Sequence, residues 1–209
     1  MKCFVINLDR RKDRLERFTK TFGKHFDEII REPAVDSLTL RITPELKKRI
    51  NPWDIQYAGP KLKNLTATCL SHLNVWKKIR KLKEPVFVFE DDCAFINEMV
   101  EQNFTSFFTS LQLPPTFGII WFNGTVHDTP GKPIDLPFVV KEYNSDNTAE
   151  GYFITPSFAN ELIYAIENDL GAVDNHMELY TKKTNGKSYR VFPPFFCQFD
   201  RRDTDIQIK

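Results

Sequence analysis

The chain has few of the residues that announce a ready-made site. Its eight glycines never stand two apart, so no GxGxxG occurs, and no GxxxxGK[ST] run is present. Those absences remove the dinucleotide-binding and P-loop phosphate cradles. GxSxG and HExxH are missing too, which removes the serine-hydrolase elbow and the zinc-protease helix. The four cysteines, Cys3, Cys69, Cys93 and Cys197, form no CxxC pair. A zinc knuckle or dithiol redox motif is therefore not expected, and three of the four sit beside apolar residues and read as reduced core thiols. No stretch approaches the ~20 apolar residues of a membrane helix. The apolar start, Cys3 to Leu8, is too short for a secretory leader and runs straight into charge, so a cytoplasmic protein is expected. An excess of charge is lacking as well. Lys plus Arg is 29 and Asp plus Glu is 28, a net charge of +1, which gives no global reason to bind nucleic acid. The basic runs Arg10 to Arg14 and Lys77 to Lys83 read as solvated helix faces.

What remains is an ordinary globular composition. The 209 residues suit one domain, 41% of them apolar and 27% charged. The 19 Phe residues are scattered and form no repeat. Lys2 to Leu8 reads as a buried strand, with Asp9 as the N-cap of the helix that follows. Phe26 to Ile30 reads as a second strand, and Pro33 to Lys63 as loops with a short helix at Pro44 to Arg49. Thr66 to Lys83 is the clearest helix, with Leu70, Leu73, Trp76 and Ile79 recurring at spacing three. Val86 to Phe89 is a fully apolar strand. A helix from Glu98 to Leu111 follows, then strands at Gly118 to Phe122 and Gly151 to Thr155. Thr155-Pro156 opens a helix, with Thr as cap and Pro at its first position. Asp174 caps another through Lys183, and a last strand lies near Tyr189 to Phe192. Strands alternating with helices predict an α/β fold with a mostly parallel sheet.

The strongest chemical signal is Glu90-Asp91-Asp92, directly after the apolar strand. In open α/β sheets, ligands bind beyond the carboxyl ends of the strands. Adjacent carboxylates repel one another, and a divalent cation removes that repulsion. Carboxylates are hard oxygen ligands suited to Mg²⁺ or Mn²⁺, which in turn bind phosphate oxygens. Glu90 and Asp92 fall on one side of an extended segment, so one can meet a ribose while the other holds a metal on a diphosphate. The competing reading is an acidic turn that caps the Glu98 helix.

Five segments carry a pattern in their order and spacing: Val5-Ile6-Asn7-Leu8-Asp9-Arg10 with Arg14; Cys69-Leu70-Ser71-His72 with Val75-Trp76; Phe89-Glu90-Asp91-Asp92; Gly151-Tyr152 with Val173-Asp174; and, more weakly, Gln198 with Asp203-Thr204-Asp205-Ile206. Taken together they resemble glycosyltransferase family 25. The family includes lipopolysaccharide galactosyltransferases and collagen hydroxylysine galactosyltransferases. The resemblance implies a single A-type nucleotide-sugar transferase domain with a Rossmann-like sheet. Its donor-binding part would cover about 1–125 and its acceptor and catalytic part about 126–209. It implies a UDP-sugar donor, often UDP-galactose with glucose as second choice. It also implies Mn²⁺ or Mg²⁺, inversion at the anomeric carbon, and a glycan or hydroxylysine-type protein acceptor.

Carried over residue by residue, the resemblance places Asn7, Arg10, Arg14, Ser71, His72, Glu90, Asp91 and Asn123 on the donor. It places Asp92, Asp91 and Asp205 on the metal, with Asp203 beside Asp205 at the diphosphate. An inverting transfer needs one carboxylate to take the acceptor's proton. Asp174 is the leading candidate, and Glu178, one turn on, is the substitute. Structural readings stand beside these roles. His72 fits a satisfied helix histidine, Asp174 a helix cap, and Asp203 and Asp205 a frayed tail. The chain departs from the family at Thr66-Ala67-Thr68-Cys69, where Glu-x-Gly usually precedes the cysteine. Two rival functions follow from other classes: an inactive nucleotide-sugar or glycan-binding module of the same fold, and a carboxylate-pair glycoside hydrolase that needs neither metal nor nucleotide.

Overall fold

The structure is a computed structural model that describes residues 1–124, 131, 137–142, 149–183 and 188–199. Its centre is a seven-stranded sheet. The strands are β1 (Lys2–Asn7), β2 (Glu28–Pro33), β3 (Val86–Glu90), β5 (Ile119–Trp121), β6 (Val139–Glu142), β7 (Gly151–Ile154) and β8 (Ser188–Phe192). Their order is β2-β1-β3-β7-β5-β8-β6. β2, β1, β3, β5 and β8 run one way, while β7 and β6 run against their neighbours. The sheet is mixed and mostly parallel, as expected of this fold class. A separate two-stranded sheet pairs β4 (Cys93–Phe95) with β9 (Phe196–Gln198).

Alternation along each strand sorts the core into two layers. Phe4, Ile6, Val86, Val88, Ile119, Trp121, Tyr152 and Ile154 face one side. There they meet α4 (Leu62–Ile79), α6 (Pro156–Ile166) and α7 (Val173–Lys183). Cys3, Val5, Phe87, Phe89 and Ile120 face the other side, against α1 (Lys12–Phe22) and α5 (Glu98–Ser110). The phenylalanines that look scattered in sequence converge there. Phe18, Phe22, Phe26, Phe87, Phe89, Phe95, Phe104 and Phe196 form one continuous set of ring contacts. Gly151 is the tight point beneath them, because a Cβ there would stand 2.9 Å from the Phe196 ring. All four cysteines are free and buried, and burial pushes the Cys3 and Cys69 thiols up to about 12.

Several local expectations change. Asp9 does not cap α1. A turn in which Arg11 N donates to Leu8 O separates them, the helix begins at Lys12 without a side-chain cap, and Asp9 pairs with Arg31 instead. α4 starts at Leu62, four residues before the expected Thr66, and Leu82 lies beyond its end. Asp174 stands inside the first turn of α7 rather than ahead of it, accepting from Asn175 N at 2.9 Å. The mixed stretch before α4 holds two short helices, α2 (Pro44–Lys47) and α3 (Pro52–Tyr57), each opened by a capping Thr or Asn and a Pro. Thr155 caps α6 as expected, accepting from Phe158 N. Among the described residues, no helix is long and apolar enough to cross a membrane.

Candidate active site

The chain leaves β1 towards β2 on one side, while β3 lies on the other. The crevice between the carboxyl ends of β1 and β3 is therefore a topological switch point, where open α/β sheets bind ligands. Ile6 pairs with Glu90 in this register, which puts Asn7 beside Asp91. The crevice opens into a cleft of about 600 Å³, open solvent included, with Arg14, Ser71, His72, Glu90, Asp91 and Asp92 in its wall. Six of the expected site residues are thus gathered from α1, α4, the end of β3 and the loop after it.

The three acids are held very differently. Both oxygens of Asp91 are taken, Oδ2 by Asn7 Nδ2 at 2.7 Å and Oδ1 by Arg14 Nη1 at 3.0 Å. Arg14 and Asp91 are only 5% and 8% exposed, so Arg14 is a buried counter-charge and not part of a solvated helix face. Asp92 Oδ2 accepts from Gln198 Nε2 at 2.9 Å. Its other oxygen, Oδ1, is buried and has no hydrogen-bond partner among the described residues. Glu90 Oε1 lies within hydrogen-bond reach of His72 Nε2, at 3.2 Å. Burial raises the Glu90 carboxyl well above its ordinary range, and the nearby charges of Asp92, Asp91 and Asp174 push the same way. The loop does not cap α5: Asn97 does, accepting from Val100 N at 3.0 Å. The acids are therefore free of the structural duty that the competing reading assigned them.

Ser71 braces the opposite wall. Its hydroxyl donates to Ala67 O at 2.8 Å and accepts from Val35 N at 2.9 Å, tying α4 to the segment after β2. Arg10 reaches the same segment from outside through Asp36, at 2.8 Å. Asn123 is buried at the end of β5 and donates to Glu150 at 3.3 Å. Neither Arg10 nor Asn123 lines the cleft. Asp174 lies near enough for its charge to act on His72 and Glu90, and burial raises its own carboxyl above the ordinary range. Glu178 is instead bound to Lys182 on α7. Asp203 and Asp205 lie outside the described residues.

The cleft also uses residues with no recognisable pattern, among them Ser37, Asn64 and Thr68. Thr68 stands where the family usually has glycine, so its departure falls on the cleft wall itself. Gln198 lies 106 residues from Asp92 in sequence and reaches it only because β9 pairs with β4; only the weak terminal segment pointed to it.

No three His, Cys, Asp or Glu side chains converge to cage a metal among the described residues. A hard cation shared with substrate phosphates needs only one or two carboxylates. The unsatisfied Asp92 Oδ1, buried at the cleft wall, is a donor of that kind, so the residues present fit such an ion.

Residues 1–177 match the model of glycosyltransferase family 25, described as LPS biosynthesis protein. The chain is also similar to procollagen galactosyltransferase 2 of Mus musculus, 37% identical over 105 residues, and to procollagen galactosyltransferase 2 of Homo sapiens, 36% identical over 101. Each match takes in 45% of this chain and 16% of the relative's length. With the family model spanning 1–177 of 209 residues, the chain belongs to glycosyltransferase family 25.

Proposed function

We propose that this chain transfers a hexose from a UDP-sugar to a hydroxyl of a glycan or a hydroxylated protein side chain, inverting the anomeric carbon with the help of Mn²⁺ or Mg²⁺. Galactose is favoured over glucose because the relatives are named galactosyltransferases. The observation that carries the reading is the unsatisfied, buried Asp92 Oδ1 at the β1/β3 switch point.

Asp92 is the direct metal ligand in this reading. Asp91, with both oxygens occupied, anchors the loop to Asn7 and Arg14 and keeps Asp92 in place. A cation held by Asp92 would supply charge neutralisation at the diphosphate of the departing nucleotide. Glu90 faces the donor from beside it, and Ser71 and Arg14 shape the wall. The acceptor oxygen attacks the anomeric carbon while the bond from that carbon to the diphosphate oxygen breaks, its electron pair leaving with UDP. Asp174 takes the acceptor's proton. Its burial suits that role, since a carboxylate of raised pKa is a stronger base near neutral pH.

Thermal-shift measurements with UDP, UDP-galactose, UDP-glucose and UDP-N-acetylglucosamine, each with and without Mn²⁺, test the donor site. A ligand that binds the folded chain raises its melting temperature with occupancy. Metal-dependent stabilisation that disappears in Asp92→Ala supports the reading. The absence of any shift under every metal condition sinks it. Stabilisation without transfer to any hydroxyl acceptor would favour the binding-module alternative. Hydrolysis of a glycan that EDTA leaves unchanged would favour the hydrolase.

A further inference from the structure

His72 is fully buried and held at both ring nitrogens. Nδ1 lies 2.8 Å from the Tyr152 hydroxyl, and Nε2 lies 3.2 Å from Glu90 Oε1. Trp76, one turn further along α4, donates its indole N–H to the same hydroxyl at 2.9 Å. Trp76 and Tyr152 are also fully buried. The four side chains form one line of contacts from the core to the cleft, and elementary donor counting fixes its direction.

An indole N–H can only donate, so one lone pair of the Tyr152 hydroxyl is occupied. Two arrangements remain. In one, Nδ1–H donates to the hydroxyl's second lone pair, and the phenol proton then has no acceptor among the described residues. In the other, the phenol donates to Nδ1 and the ring carries its proton on Nε2. Folded proteins avoid buried donors without partners, which selects the second arrangement. The ring holds a single proton, because burial pushes His72 down to about 4. The phenol keeps its proton, because burial raises Tyr152 well above its ordinary value. Nε2–H therefore donates to Glu90 Oε1. That oxygen accepts the bond whether the carboxyl is charged or neutral.

We infer that Tyr152 is a positioning residue: its hydroxyl, oriented by Trp76, fixes His72 as an Nε2–H donor that grips Glu90 Oε1 and turns the other oxygen of Glu90 to the donor cleft. The Glu90 side chain is 20% exposed at that cleft, so one edge of the carboxylate is held and the other is presented. The functional part of this inference rests on the donor site proposed above, whereas the tautomer itself does not. A histidine whose far nitrogen is held by a partner has a defined tautomer and ring orientation, and loss of such outer partners commonly costs about 10–100-fold in the function of the group it supports.

Two measurements on the full chain test this. Long-range ¹H–¹⁵N correlation on the wild type, labelled at histidine, reads the His72 tautomer without any substitution. A protonated Nε2 with a bare Nδ1 is expected, and a protonated Nδ1 overturns the inference. The second is a double-mutant cycle on the donor KM, read with UDP-galactose, Mn²⁺ and a hydroxyl acceptor. Tyr152→Phe keeps the ring and should raise the donor KM about tenfold with the acceptor KM unchanged. In a His72→Gln background the glutamine amide donates to Glu90 without needing the phenol. Tyr152→Phe should then change the donor KM by less than about twofold. Equal losses in both backgrounds would make Tyr152 a packing residue and overturn the inference. If the wild type turns over no UDP-sugar, the proposed function fails, while the tautomer measurement still decides this one.

Discussion

Gln198 Nε2 donates to Asp92 Oδ2 at 2.9 Å, while Oδ1 of the same carboxylate is buried with no partner among the described residues. One oxygen thus fixes the group and the other is left to be satisfied. Asp92→Asn keeps the size and the acceptor for Gln198 but removes the charge a cation needs. Melting temperature without ligand should change little, because the charge removed both repels Glu90 and Asp91 and attracts Arg14, whose Nη1 lies 3.9 Å from Oδ2. The Mn²⁺-dependent stabilisation by UDP should vanish, and kcat should fall by at least about 100-fold. Calorimetric titration of Mn²⁺ with UDP into the variant checks this, and unchanged binding would remove Asp92 from the metal.

The Arg14–Asp91 pair should dominate the stability of this corner. Both groups are almost wholly buried, and removing one partner of a buried pair strands the other charge, at a cost of about 3–5 kcal/mol. Arg14→Met should therefore lower the melting temperature by roughly 10 °C for a chain of this size. Adding Asp91→Asn should recover more than half of that loss, since Asn7 can still donate to the new amide oxygen. Thermal melts of the wild type, both single variants and the double variant decide it. Additive losses would show that the two charges do not depend on each other.

The acid loop was legible because three carboxylates after an apolar strand satisfy no local need, and the fold class because strands and helices alternate. Other features were hidden for physical reasons. The Phe layer has no period, since its members come from α1, the segment between α1 and β2, β3, β4, α5 and β9 and meet only in three dimensions. β4 and β9 are three residues each, too short for a pattern, and Gln198 gains its role only through their pairing. β7 runs against its neighbours, which its apolar run cannot reveal. Arg14 sits in a basic run that reads as solvated, because nothing local marks the one arginine that turns inward to Asp91. Ser37 and Asn64 line the cleft through loop and helix-end placement alone.

His72 gives the stability of the chain a defined acid limb. Its pKa is about 6.5 unfolded and about 4 folded, because burial disfavours the charged ring. Below pH 6.5 the unfolded chain takes up a proton that the folded chain refuses, so stability is lost as pH falls from about 6.5 to about 4. The interval corresponds to about 3 kcal/mol. Glu90 and Asp174 act in the opposite sense, because their raised carboxyls hold protons in the folded state and lose stability as pH rises. Total stability against pH therefore mixes both signs, and the difference between wild type and His72→Gln isolates the histidine. Denaturant midpoints should show His72→Gln gaining on the wild type as pH drops below 6.5. A constant difference from pH 7 to pH 4 would mean that His72 is charged in the folded protein.

Asp174 and Glu178 separate as candidates for the proton acceptor. They lie one turn apart on α7, but their surroundings differ. Glu178 is tied to Lys182 four residues on, so its carboxylate is engaged within its own helix. Asp174 is half-buried, its charge acts on His72 and Glu90, and its carboxyl is raised by burial. Asp174→Asn should lower kcat by about 10²–10⁴-fold and leave the thermal shift with UDP-galactose and Mn²⁺ intact, since donor binding does not need the base. Glu178→Gln should stay within a few-fold of the wild type. The base works only when deprotonated, so kcat should fall as pH drops through the raised pKa of Asp174, and that limb should lie above the ordinary aspartate range. If Glu178→Gln abolishes turnover and Asp174→Asn does not, the roles reverse, and the charge of Asp174 serves only the first turn of its helix.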